Sequence, residues 1–146
     1  MTSPIVIEPA RAADFAGVLD LLRHNRLPPD DLERHLATTL VARSDGAVVG
    51  SAALELYGAA ALLRSVAVAS DLRGHGLGAR LTEAALDLAR ARGVRTVYLL
   101  TTTAADFFPR FGFNRIDRAQ VEGEVRRSVE FTTACPDSAH VMARQI

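Results

Sequence analysis

The sequence predicts an α/β chain built on a mixed, largely antiparallel sheet with helices packed against it. Three observations carry that prediction. An Asp45-Gly46 pair sits between two strand-like runs, the signature of a tight hairpin between antiparallel neighbours. One long amphipathic helix, opening after Gly76 and closing near Gly93, divides the strands before it from those after it. The element order (strand, two helices, three strands, helix, strand, helix, strand) lacks the regular alternation of a doubly wound fold.

Residues 4–9, PIVIEP, are β-branched and closed by Pro9, which predicts a first strand. Asp14 can cap a helix that carries Phe15, Val18, Leu21 and Leu22 on one face and runs to about His24. Pro28 and Pro29 end one helix and can open the next, a short one with Leu32 and Leu36 as its apolar face. Thr39–Arg43 and Ala47–Tyr57 read as strands around the Ser44-Asp45-Gly46 turn, and Tyr57-Gly58-Ala59-Ala60 offers a second reversal into a strand at about 61–69. In the long helix Leu77, Leu81, Ala84, Ala85 and Leu88 recur at helical spacing opposite Arg80, Glu83, Asp87 and Arg90, with Gly93 as the C-terminal cap. A strand at 94–100, a short helix from Ala104 to about Arg110 and a strand from Phe111 to Ile116 come next. Ala119–Arg127 reads as a charged helix and Val129–Thr133 as a last strand, leaving the tail from Cys135-Pro136 unassigned.

The 146 residues fit one domain, large enough to bury a core without disulfides. Seventeen basic residues against 17 acidic ones leave no net field to recruit nucleic acid or an anionic membrane, so any anion site must be local. All the basic residues are Arg, which excludes lysine chemistry. Cys135 stands alone, and no Cys/His cluster has metal-ligand spacing. No apolar run approaches ~18 residues and the N-terminus has no signal-peptide pattern, so a cytoplasmic protein is expected.

The stretch Leu62–Leu81 concentrates the functional signal. A buried strand leads into Arg73-Gly74-His75-Gly76-Leu77-Gly78 and then into a helix, which sets free backbone N–H groups beside a helix N-terminus. The turn is not a Walker loop, having no Gly-Lys-Ser/Thr, and its glycine spacing differs from the dinucleotide pattern. On its own it reads equally as a phosphate cradle or as a tight strand-to-helix turn.

Val66-Ala67-Val68 followed by Arg73-x-x-Gly76-x-Gly78 resembles the acetyl-CoA motif of the GCN5-related N-acetyltransferase (GNAT) superfamily, and the element order is that family's order. In the family the strand after the long helix ends in Asn, followed by Ala, Tyr and Gly-Phe. Here those positions read Thr101, Ala104, Phe108 and Gly112-Phe113, two matches and two departures. The resemblance implies that the fourth and fifth strands splay and that the pantetheine arm lies between them. Val66 and Val68 would then bond the arm through their backbones, with a N–H near Val66 polarising the thioester carbonyl. Backbone amides of Arg73, Gly74, His75, Gly76, Leu77 and Gly78 would hold the pyrophosphate, the His75 side chain lying in solvent. Thr101 and Phe108 would border the cofactor. Acetyl-CoA is the implied donor, attacked directly by an amine, and a homodimer is a family expectation.

The departure at Phe108 removes the tyrosine that in many relatives protonates the leaving thiolate. Tyr57 is the alternative acid, or a structural tyrosine. Glu55, a carboxylate in the apolar run AALELY, reads either as the general base or as the ion-pair partner of Arg64 on the same sheet face. Arg64, Glu55 and Thr101 are candidate substrate ligands, and Arg64 favours an anionic amino acid. The phrases LELYGAAALLRSVAVA and TTTAADFFPRFGF, with Phe131 and Cys135-Pro136, are similar to the small acetyltransferases of bacterial arsenic-resistance operons, which adds an arsenic or phosphinate analogue as acceptor. Two other readings are a non-catalytic acyl-CoA-binding module that lost its acid at Phe108, and a protein N-terminal acetyltransferase.

Overall fold

A computed structural model describes residues 4–136 and 138–146. The strands are β1 (Val6–Pro9), β2 (Thr39–Ser44), β3 (Ala47–Tyr57), β4 (Ala60–Val68), β5 (Thr96–Thr101), β6 (Asn114–Ile116) and β7 (His140–Gln145). They form one sheet in the order β1-β2-β3-β4-β5-β7-β6, antiparallel throughout except for the parallel β4–β5 pair. Both hairpins use two-residue turns. Asp45 and Gly46 each have positive φ between Ser44 and Ala47, whereas the turn at Gly58-Ala59 takes positive φ at Gly58 alone.

Two helices, α1 (Phe15–His24) and α2 (Leu77–Ala91), cover opposite faces of the sheet. Leu77, Leu81, Ala85, Leu86 and Ala89 of α2 pack on Leu40, Ala42, Ala52, Leu54, Ala61 and Leu63, and each fully buried Leu side chain contributes ~1.5–3 kcal/mol. Gly50 provides the seat for Leu81, because a Cβ there would lie 2.7 Å from the Leu81 side chain. On the other face Val18, Leu21, Leu22 and Leu32 pack on Val41, Ala53 and Ala67. Farther along that face Val121, Val125 and Phe131 cover Ala60, Leu62, Tyr98 and Val141. Alternate strand residues thus serve two cores, as the strand period requires.

Several local expectations need correction. Asp14 precedes α1 without a side-chain cap; its carboxylate instead accepts the Arg11 N–H at 2.7 Å and pairs with Arg43. The second helix is a kinked 3-10 segment, Leu32–Thr38, broken at His35. The short helix expected from Ala104 narrows to a 3-10 turn at Phe108–Phe111, and the charged helix over 119–127 is two separate 3-10 turns. The strand expected at Val129–Thr133 is a π-helical turn, Glu130–Ala134, and the last strand is β7 in the tail.

Candidate active site

The site begins where β4 and β5 part. Their parallel pairing runs from Ala60 opposite Thr96 to Leu63 opposite Leu99 and stops, although β4 continues to Val68 and β5 to Thr101. A bulge in β4 accompanies the parting. Ala53 pairs with Arg64 and Ser51 with Ala67, so Ser65 and Val66 stand together opposite Ala52. Ser65 takes φ +59°, and the Ser51 hydroxyl donates to its carbonyl at 2.7 Å. Such a bulge bends a strand and re-aims the residues beyond it. On the other side the Thr101 hydroxyl accepts the Ala104 N–H at 2.9 Å and turns the chain away from β4. Between the two edges lies a cavity of about 800 Å³, lined by β4 from Leu63 to Val68 and by residues 100–104.

The start of α2 forms one end of this cavity. Gly74 and Gly76 have φ near +80°, and a Cβ built on either meets no atom within 4 Å, so the space beside them is open. Gly76 is the N-cap and no side chain caps the helix, which leaves the first amides of α2 without intrahelical acceptors. The first helical turn carries no acidic residue to offset the dipole. Arg73 donates to Asn25 Oδ1 at 2.6 Å, while the Asn25 side-chain amide donates to the Val68 carbonyl at 3.3 Å. The residue after α1 therefore ties the glycine turn to the end of β4. Arg80 turns away and donates to the Ile5 carbonyl.

At the other end is a buried polar cluster on the sheet face opposite α2. Arg64 is fully buried: its Nη1 donates to Glu55 at 2.8 Å, its Nη2 to the Pro28 carbonyl at 3.1 Å and its Nε to Ser65 Oγ at 3.2 Å. Glu55, 1% exposed, also accepts hydrogen bonds from Tyr57 and Ser128. Burial works to raise its pKa, but the hydrogen bonds from Ser128, Tyr57 and Arg64 prevail and hold the carboxyl below its ordinary range. Burial and the Glu55 carboxylate push the Tyr57 hydroxyl well above the usual phenol value. His35 lies 3.8 Å from Glu55, and burial lowers its pKa. Glu130 completes the cluster, 3.8 Å from Arg64 Nη2. Burial pushes its carboxyl up to about 7. Cys135, beside it, is pushed up to about 12 by burial and by that carboxylate.

The sequence-predicted residues divide accordingly. Val66, Val68, Arg73, Gly74, Gly76, Leu77, Gly78, Thr101, Phe108 and Arg64 all line the cavity. Phe108 does so with its ring held edge-on to Phe107 and Phe113. His75, Tyr57 and Glu55 are not among the lining residues. His75 is exposed beyond the turn. Tyr57 and Glu55 are bonded to each other, and Glu55 is the ion-pair partner of Arg64, which does line the cavity. Glu55 and Arg64 meet on one sheet face, the two-residue turn pairing Glu55 with Leu62 and leaving Arg64 on the diagonal. Among the cavity residues that escape the sequence reading are Glu130, Arg26 and Asn25. Glu130 does carry a signal: it is a carboxylate between Val129 and Phe131, the same anomaly that singles out Glu55.

A parallel strand pair that opens onto an uncapped helix start, with an acid–base cluster at the far end, is the frame of an acyl-CoA-dependent transferase. A family model described as acetyltransferase (GNAT) domain matches residues 35–115, and the chain belongs to that family. An amino-acid acetyltransferase of Aeromonas salmonicida is 29% identical over 132 residues, which cover 82% of this chain and 30% of that protein. An N-acetylglutamate synthase from Neisseria gonorrhoeae, solved with coenzyme A and N-acetyl-glutamate, superposes with a TM-score of 0.83 at 21% identity, covering 99% of this chain and 36% of that one. The chain thus spans about a third of the length of these two relatives. Rv2747 from Mycobacterium tuberculosis, solved with CoA and NLQ, has a TM-score of 0.82 at 25% identity, covering 97% of this chain and 99% of that one.

Acetyl-CoA is the acetyl donor of this family, and the residues present fit it. The β4 edge past Leu63 is unpaired toward β5, and the α2 amides and open glycine turn suit a pyrophosphate. Among the described residues no His/Cys/Asp/Glu group has metal-site geometry, and no helix is long and apolar enough to cross a membrane.

Proposed function

We propose that the protein transfers acetyl from acetyl-CoA to the nitrogen of a small amine by direct attack, and that an anionic amino acid is the acceptor. The observation that carries this reading is the parted β4–β5 pair, whose free strand edge shares one cavity with an uncapped helix start and a buried carboxylate. Acetyl-CoA supplies an acetyl group already activated as a thioester. The amides of residues 73–78 hold its pyrophosphate, the β4 edge from Val66 to Val68 aligns the pantetheine arm, and the Val66 N–H polarises the thioester carbonyl. Direct transfer agrees with the chemistry of Cys135, whose raised pKa leaves almost no thiolate to form an acyl-enzyme. Phe108 has no proton to give, and a thiol of ordinary pKa near ~8.5 leaves without one.

The acceptor class is supported by the name of the Aeromonas relative and by the product in the Neisseria structure. Within this chain, Arg64 has its donors committed to Glu55, Pro28 and Ser65, so carboxylate recognition falls to Arg26. Arg26 is exposed at the cavity rim, and its guanidinium bonds to no described residue. The Asn25–Val68 and Pro28–Arg64 bonds pull the loop after α1 onto β4, which favours a small acceptor over a peptide. Thiol release from acetyl-CoA across acidic, neutral and basic amino acids, phosphinate and arsenic-containing analogues, and short peptides tests the reading. Turnover with acidic amino acids or their analogues is expected, with Arg26→Ala raising KM for anionic acceptors only. Tight CoA binding without thiol release on any amine would instead indicate an acyl-CoA-binding module.

A further inference from the structure

We propose that Glu130 is the group that takes the proton from the acceptor ammonium, with Glu55, Arg64 and Ser128 acting as the positioning unit beneath it; this rests on the acetyltransferase reading above. A base for this step must lie in the cavity that the unpaired β4 edge borders. Glu130 does, and Glu55 does not. The carboxylate stands on a π-helical turn, a rare conformation that recurs frequently at functional sites. Its placement is over-determined. The Glu130 backbone N–H donates to Ser128 Oγ at 3.2 Å, and the Ser128 hydroxyl hydrogen-bonds Glu55, so one hydroxyl ties the backbone that carries Glu130 to the Glu55 carboxylate. Arg64 then links Glu55 at 2.8 Å to Glu130 at 3.8 Å while holding the Pro28 loop.

Charge points the same way. The cluster holds two carboxylates and one guanidinium, and burial biases the nearby His35 toward its neutral form. Arg64 is in direct contact with Glu55 and a full ångström farther from Glu130, so Glu130 is the under-compensated partner. A second cation completes the cluster, and an acceptor ammonium arriving at the cavity is one. The groups facing Glu130 are Arg64 from β4, Glu55 from β3, Asp30 from the loop after α1 and Cys135 from the end of its own turn. Burial is the largest influence, Glu55 and Asp30 add to it, and Arg64 and the Cys135 thiol oppose it; the result, about 7, is where a general base works best at neutral pH. The step balances. Glu130 carboxylate accepts one proton from R–NH3+, the freed lone pair forms the N–C bond as the C–S bond breaks, the second nitrogen proton leaves with the sulfur as CoA thiol, and the proton on Glu130 passes to water.

The test is Glu130→Gln, read three ways. Wild type is expected to show a kcat/KM limb rising to a plateau through about pH 7, and Glu130→Gln to lose ~100-fold or more in kcat/KM together with that limb. CoA affinity by calorimetry is expected to stay within about threefold, since the variant touches no residue of the pyrophosphate cradle. Independently of turnover, difference infrared spectroscopy of the whole chain is expected to show a carboxyl titrating between about pH 6 and 8 that the variant abolishes. Retention of wild-type rate and limb, or no carboxyl titrating in that window, overturns the assignment of Glu130 while leaving the transferase reading intact. A wild-type chain that transfers acetyl to no amine overturns the transferase reading itself.

Discussion

Glu130→Gln is expected to stabilise the folded chain at pH 8 by about 3 kcal/mol and at pH 5 by less than about 1 kcal/mol. The magnitude comes from burial. A carboxyl moved from 4.5 in the unfolded chain to about 7 in the fold costs about 3 kcal/mol to keep ionised there, and at 4% exposure solvent screening removes little of it. The folded state binds this proton more tightly than the unfolded state does. Its stabilising contribution is therefore complete below pH 4.5, is lost as pH rises toward 7, and stays lost above. His35 works in the opposite sense, since its lowered pKa makes the fold lose stability as pH falls through 6.5. Its contribution is common to both proteins and cancels in their difference. Urea unfolding of wild type and variant at intervals between pH 5 and 8, with unchanged slopes, gives that difference directly. Stability curves that run parallel within about 0.5 kcal/mol over the whole range would refute the reasoning, because they would mean a solvated carboxyl.

Other perturbations probe other parts of the site. Arg64→Met leaves Glu55 and Glu130 buried without their cation and is expected to cost about 3–5 kcal/mol in urea unfolding at pH 7; a loss under about 1 kcal/mol would mean that the cluster is hydrated. Gly76→Val forces a β-branched residue to φ +81° at the α2 N-cap and is expected to weaken CoA binding at least ~10-fold by calorimetry, whereas unchanged affinity would sink the cradle. Asn25→Ala frees both Arg73 and the Val68 carbonyl, so CoA affinity is expected to fall several-fold with kcat nearly unchanged; an effect on kcat alone would place Asn25 at the acceptor end instead. Asp14, held down at about 2 chiefly by its hydrogen bonds from Arg43, contributes stability above about pH 3.8 that is lost as pH falls toward 2, and Asp14→Asn is expected to flatten that acid limb in thermal unfolding.

The sheet from β1 to β5 and both helices were legible because each obeys a simple period or carries its own turn signal. Asp45-Gly46 and Gly58-Ala59 fix two hairpins, and α2 shows one apolar face. The C-terminal third obeys neither rule. β7 lies between β5 and β6, and both sheet faces are covered there: Val141 serves one core and Met142 the other, so the strand shows no alternation of apolar and polar residues. Arg144, which looks like a solvent residue, is used to donate to the Phe111 carbonyl at 2.7 Å. Conversely VEFTT has the β-branched composition of a strand yet folds as a π-helical turn, because Ser128 accepts the Glu130 N–H and Phe131 is buried against Leu62 and Tyr98.

That misreading bears on function as well as fold. In a strand, neighbouring side chains point to opposite faces, and Glu130 would have had no reason to meet Arg64, 66 positions earlier in the chain. Only the turn, wound back over the sheet face opposite α2, brings a second carboxylate to the guanidinium that Glu55 already holds. The β4 bulge contributes in a complementary way. It reverses the side-chain parity of the strand after Arg64, so that Arg64 faces the buried cluster and Ala67 still packs beneath α1, while Val66 and Val68 pack against the α2 core. A strand without the bulge would set Arg64 and Val66 on the same face and give one of them up. The one irregular residue pair in β4 therefore lets nine consecutive residues carry a hairpin partner, a buried cation and a free backbone edge. None of that is encoded in spacing, because Ser65 at positive φ has no glycine to announce it.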